Sequence, residues 1–185
     1  LPLVDGGDDG IWARVASLDA GDDRGFFFRP EIGDEVVVGF LDDDPRHGVI
    51  LGMLHSSAKA APLQGSDDNH EKLYKSRSGL RLQFNDDKKV MTLDTPAGNS
   101  IILSEDDKSI VLADQNGNKI TMNSDGIKIE SAKATEIKAG TEAKLESGTS
   151  FSAKGGTELK LEGGTQAELS SSAATKVKGG VVQIN

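Results

Sequence analysis

The sequence predicts an all-β chain in which a small barrel is followed by a β-helix wound from three copies. Three patterns predict it. Most aromatic residues lie before position 56, among short alternating runs; strand-sized runs then recur every nine to eleven residues from Leu80; and from Ala132 a small residue falls at every eighth position.

Composition constrains how such a chain can bury itself. Of its 185 residues, 36% are hydrophobic and only 4% aromatic, against 28% charged and 22 glycines. As a single compact body it has little large apolar surface with which to offset ordering entropy. Burial must therefore be shared with other chains, or the shape must be long and thin. A net charge of -9 with low hydrophobicity also fits disorder, but disordered segments do not keep a strand period. With no cysteine, disulfides and cysteine-ligated metals are excluded and the redox compartment stays open. No apolar run approaches membrane-spanning length, and no signal-like segment is visible. The acidic balance disfavours nucleic acid, since no basic stripe is available to neutralise phosphates. Leu1 in place of an initiating methionine suggests a native start upstream.

Residues 1–57 read as the barrel, with strands expected at Ile11–Ser17, Phe26–Arg29, Glu35–Leu41 and His47–His55. Asp/Gly turns separate them at Asp19–Asp23, Ile32–Asp34 and Asp42–Pro45. Short strands at this spacing suggest a small Greek-key barrel, and a first strand lying upstream would account for the short count. Residues 58–79 show neither period and read as a linker. Residues 80–123 supply irregular prism strands at Leu80–Phe84, Val90–Leu93, Ser100–Leu103, Ser109–Leu112 and Lys119–Met122, joined by Asn/Asp/Gly turns.

Residues 124–185 read as the regular octad-repeat needle and its tip. The corners expected are Ala132, Gly140, Gly148, Gly156, Gly164, Ser172 and Gly180. Counting from each corner, the fourth and sixth places are apolar or small and the fifth and seventh charged or polar. Alternate residues of a strand point to opposite faces, so one face is apolar and the other hydrophilic. Ile137, Leu145, Phe151, Leu159, Leu161, Leu169 and Val177 fall on the apolar face, with Ile127 and Ile129 in phase. Ile120 and Met122 have the opposite parity, which places a register change at Asn123–Gly126.

An octad fits either one chain coiled on itself or three chains around a common axis. About seven octads would give a self-coiled chain little more than two turns, fewer than a solenoid normally needs, and no capping segment is visible. A lone chain would also expose its strand edges. Three chains resolve both problems and fill the axis with the residues just named. With strands roughly 4.8 Å apart, the stretch from Leu80 to Asn185 would be on the order of 60 Å long. Such a prism suits the transmission of axial force, and its alternating Lys and Glu surface suits solvation.

The run from Phe28 through Pro30, Gly33 and Asp34 to Phe40 and Leu41, followed by Asp44-Pro45 and Val49 to His55, resembles the barrel of VgrG-type spike proteins of contractile injection systems. These are type VI secretion systems, contractile phage tails and extracellular injection systems. Gly117–Met122, Gly126–Ile129 and the ending Gly179–Asn185 resemble that family's β-helix and blunt end. The resemblance implies an OB-fold-like barrel followed by an intertwined homotrimeric triple-stranded β-helix, a β-prism needle. It implies a homotrimer seated on baseplate and tube proteins at its N-terminal side, with a PAAR-type tip protein on Val181, Val182, Gln183, Ile184 and Asn185. Transient contact with a target membrane follows. So does assembly in the bacterial cytoplasm within a particle that is later extracellular or injected. The family's tube-joining domains and fused effectors are absent from the sequence, so the cargo is expected to be a separate protein.

Other sites are weaker. His47, His55 and His70 lack a second ligand at metal spacing, and the tail lacks the His-x-His with which some needles hold iron, so no cofactor is expected. Asp42-Asp43-Asp44, Asp86-Asp87 and Asp106-Asp107 read as solvated turns, lacking calcium-loop spacing. Catalysis is not expected, since a prism of small side chains offers no cleft where carboxylates converge. Phe26-Phe27-Phe28 imitates a base-stacking platform, but with only Arg24 and Arg29 nearby it reads as packing. The competing reading is a trimeric fibre or adhesin, which should show aromatic or irregular recognition loops in its distal half.

Overall fold

A computed structural model describes residues 10–184, and its regular structure is β apart from one 3-10 turn at Leu41–Asp43. The chain divides into two units, the first ending at Thr135 and the second starting at Glu136.

The first unit opens with β1 (Ala13–Val15), β2 (Ala20–Gly21), β3 (Arg24–Gly25), β4 (Glu35–Phe40) and β5 (Gly48–Leu54). β1 pairs in parallel with β5, and β5 antiparallel with β4, while β2 and β3 form a separate hairpin. Among the described residues the expected barrel is therefore an open three-stranded sheet and not a closed one. The reason lies in the segment expected as a strand at Phe26–Arg29. The chain pairs one step earlier, at Arg24–Gly25, where Gly25 has φ +125 and an added Cβ would sit 2.3 Å from the Asp19 carbonyl. Only glycine tolerates that approach. After Phe26 donates its amide to the Asp19 carbonyl (2.9 Å), the chain runs unpaired through Pro30, which has no donor to give.

The expected linker is also corrected. It contains β6 (Glu71–Lys75), the edge strand of the following sheet. Its first part folds back: Lys59 Nζ donates to the Gly33 carbonyl at 2.6 Å. Further on, Arg77 reaches Glu31 at 2.8 Å and Tyr74 meets Phe28 edge-on at 5.2 Å. These contacts explain why residues 58–79 do not separate two units.

β6 begins a seven-stranded antiparallel meander that continues with β7 (Arg81–Asn85), β8 (Val90–Asp94), β9 (Ser100–Ser104), β10 (Ser109–Ala113), β11 (Lys119–Asn123) and β12 (Gly126–Glu130). The parity switch at Asn123–Gly126 proves to be a hairpin. Ile120 pairs with Ile129 and Met122 with Ile127 across a turn through Ser124 and Asp125, so all four side chains share one face.

At one end of the meander the corners repeat every nineteen residues. Gly79, Gly98 and Gly117 all have positive φ (+88, +101 and +90), the left-handed geometry these turns require. Three residues before each stands a side-chain acceptor. Ser76 Oγ, Thr95 Oγ1 and Asp114 Oδ1 take the amides of Leu80, Asn99 and Asn118 at 3.0, 3.2 and 2.8 Å. Asparagine then ties one corner to the next: Asn99 Oδ1 accepts the Gln115 amide at 3.2 Å, and Asn118 Oδ1 accepts the Ala132 amide at 3.0 Å.

In the second unit the backbone bends at 140–141, 148–149, 156–157, 164–165, 172–173 and 180–181, eight residues apart. No strand pairing and no backbone-to-backbone hydrogen bond occurs among the described residues from 131 to 184. Backbone groups taken out of water must find partners, and none of those partners is another backbone group among these residues.

Candidate functional site

No hydrophobic side chain is buried among the described residues, and this absence defines the site. The chain leaves 16733 Å² accessible, about twice the roughly 8,500 Å² expected of a compact monomer of this mass.

The meander presents its large apolar residues on the wrong face for a monomer. Pairing aligns Leu82, Leu93, Ile101, Leu112, Ile120 and Ile129 in one row and Phe84, Met91, Leu103, Ile110, Met122 and Ile127 in the next. Along these rows exposure reaches 71% at Ile127. The opposite face carries Thr92, Ile102, Val111 and Thr121, which are half-buried, and Ser104, which is buried. Ser104 Oγ is satisfied locally, donating to Asp107 and accepting its amide. Most of these two rows of large apolar side chains therefore stay in contact with water in the single chain. Each such side chain removed from water is worth about 1.5–3 kcal/mol.

In the second unit the residues read as axial are all exposed, from 57% at Leu159 to 84% at Leu161, as are Ile137, Leu145, Phe151, Leu169 and Val177. Charges occupy the alternate positions, where Glu142 pairs with Lys144 at 3.1 Å and Lys160 with Glu162 at 2.6 Å. Exposed pairs of this kind contribute little stability. Val181, Val182 and Ile184 are likewise exposed; Asn185, expected in the tip surface, lies outside the described residues.

Sequence reasoning placed the steric demand of the octad on the corner residue, and the structure moves it one place back. Nothing lies within 4 Å of a Cβ built on Gly140, Gly148, Gly156, Gly164 or Gly180. A Cβ on Gly155 would instead fall 1.9 Å from the Glu158 carbonyl oxygen, and one on Gly163 2.1 Å from that of Gln166. Other corners place serine there, with Ser131 Oγ donating to the Ala134 carbonyl (2.9 Å) and Ser147 Oγ to that of Ser150 (2.6 Å). Ser, Ala or Gly before each corner was a signal available in the sequence, as was the nineteen-residue spacing of Gly79, Gly98 and Gly117.

The remaining candidates are scattered. His47 lies beside Trp12, His55 follows β5, and His70 precedes β6. Among the described residues no three His, Cys, Asp or Glu side chains converge as metal ligands. Two carboxylates are held well below their usual range by hydrogen bonds from near neighbours in sequence. Asp114 is lowered to about 2, first by the Asn118 amide and then by the side chains of Asn116 and Asn118. Asp44 is lowered to about 2 by the Arg46 side chain and amide.

Residues 90–185 match the family described as the phage baseplate V C-terminal trimerisation domain, which covers the apolar rows from Met91 onward and every octad. The chain belongs to the phage baseplate V family. Its residues 1–55 match a second description, the type VI secretion system/phage-baseplate injector OB domain. Among relatives of this phage baseplate V chain, the type VI secretion system spike protein VgrG1a of Pseudomonas aeruginosa is 34% identical over 67 residues, 36% of this chain and 10% of that protein. VgrG4b of the same species is 35% identical over 74 residues, 39% of this chain and 9% of that protein. VgrG3 of Vibrio cholerae is 31% identical over 67 residues, 36% of this chain and 7% of that protein. The chain thus matches no more than about a tenth of the length of these relatives. Together the matches bear out the VgrG-type resemblance, the all-β class and the order of an OB-type domain followed by a trimerisation domain.

Proposed function

We propose that this chain forms the central spike of a contractile injection machine, a homotrimeric needle whose role is structural and mechanical, not catalytic. The observation that carries the reading is the unfilled apolar face. Most of the two rows of leucine, isoleucine, phenylalanine and methionine in the meander, and at least one large apolar side chain in each octad from Ile137 to Val177, lie exposed in the single chain. Three copies brought together along these faces would bury them around one axis and supply the missing backbone partners of residues 131–184. The family description of residues 90–185 as a trimerisation domain supports the same count.

A prism held by hydrogen bonds between chains resists axial load, because bending it shears many bonds at once. On this reading the N-terminal side sits on baseplate and tube proteins, and Val181–Asn185 seats a PAAR-type tip protein. The needle is assembled in the bacterial cytoplasm, leaves with the contractile particle, and touches the target membrane only as it pierces. The cargo is a separate protein carried at the tip.

Paired substitutions test the inward and outward assignment. Leu161→Asp places three carboxylates together without partners and should abolish assembly. Glu162→Lys, one residue on, should leave the assembled mass unchanged. Equal tolerance of both changes rules the arrangement out.

A further inference from the structure

We infer that Trp12 of one chain docks into the aromatic cleft of the next chain around the trimer axis, an inference that rests on the homotrimer proposed above. Trp12 is the only tryptophan and stands 99% exposed just before β1. A large apolar ring is the most costly side chain to leave in water and the most effective interface anchor. On the same unit lies a cleft of about 670 Å³ lined by Val15, Phe27, Phe28, Ile32, Ile50 and Tyr74. Phe27 is itself 81% exposed, and Arg29 sits over its ring at 5.3 Å, so the mouth offers both an apolar floor and a cation for an indole face.

Trp12 cannot fill this cleft from its own chain as the strand is built. Val15 lines the cleft, whereas Trp12, which precedes β1, lines a separate hollow with Ala13, Arg14, Leu41 and His47. A projection on one side and a cavity on the other is what a three-fold ring requires. Its interfaces are head-to-tail, so each chain must offer two different complementary patches. The cleft is also continuous with the proposed axial face. Tyr74, edge-on to Phe28 at 5.2 Å, pairs opposite Leu82 in the first apolar row.

The sole tryptophan makes the test direct. In the assembled full-length chain, Trp12 emission should be blue-shifted and shielded from acrylamide. In the Leu161→Asp chain, which should not assemble, it should be red-shifted and quenched. Ile32→Asp, which charges the exposed rim of the cleft, should restore quenching of Trp12 to near the Leu161→Asp level, with the mass read in parallel. A three-copy mass with Trp12 as accessible as in the Leu161→Asp chain overturns this inference and leaves the trimer standing, as does Ile32→Asp without effect on quenching. A single-copy mass overturns both.

Discussion

Asn118 Oδ1 accepts the backbone amide of Ala132 at 3.0 Å, joining the β10–β11 corner of the meander to the first corner of the octad series. The same residue donates its side-chain amide to Asp114 at 2.7 Å. One side chain thus holds two successive layers. Asn118→Ala should cost about 1–2 kcal/mol per chain through the loss of these bonds, read as a lowered melting temperature. An unchanged melting temperature would mean that the corner ladder is not a stabilising feature.

Asp114 gives the corners a pH limit. Its folded pKa, about 2, lies below the ordinary value of about 3.9, so the stability it contributes is fully present above that ordinary value and is lost as pH falls through about 2. Asp44 behaves alike in the N-terminal sheet. The melting temperature should therefore hold from neutrality to about pH 4 and fall between about 4 and 2. Asp114→Asn, which cannot titrate, should show a smaller fall over that interval, and an identical fall would remove Asp114 from the account.

Glycine substitutions should separate the two positions of each octad corner. Gly155→Ala and Gly163→Ala put a methyl group 1.9 and 2.1 Å from a carbonyl oxygen and should cost roughly 1–3 kcal/mol each. Gly156→Ala and Gly164→Ala meet nothing within 4 Å in their own chain and should cost less. Chemical denaturation of the four variants checks the order, and the reverse order would contradict the corner geometry described above.

Hydrogen exchange should divide the chain near Thr135. The strands from Glu71 to Glu130 pair within one chain, whereas residues 131–184 have no backbone partner of their own. In the Leu161→Asp chain the amides of 136–184 should exchange as an open chain does, and those of the meander, whose apolar rows are then uncovered, should exchange faster than in the assembled chain yet slower than 136–184. Equal exchange of the two segments in the variant would show that pairing within one chain gives the meander no protection of its own.

The octad was readable from residue spacing alone because a repeat of one strand and one corner leaves a trace at every eighth position. Strands β7 to β11 were readable because Asn, Asp and Gly mark each reversal. β6 was not, since Glu71–Lys75 contributes Lys72 and Tyr74 to the apolar face and so shows no clean alternation. Phe26–Arg29 has strand composition, yet the pairing ends at Gly25, a constraint set by contact with Asp19 that no local pattern reports. The parity of Ile127 and Ile129 was read correctly and explained wrongly: a hairpin between β11 and β12, not a change of register, brings them beside Ile120 and Met122. The exposed rows and the cleft beside Phe27 required the fold, because they depend on which strands are neighbours.

The mass of the purified chain in solution tests the central claim most directly. Light scattering should give three copies, three times 19.5 kDa, at every concentration where the protein is folded. A folded, thermally stable particle of one copy would contradict it, for it would show that the apolar rows and the unpaired octads need no partner.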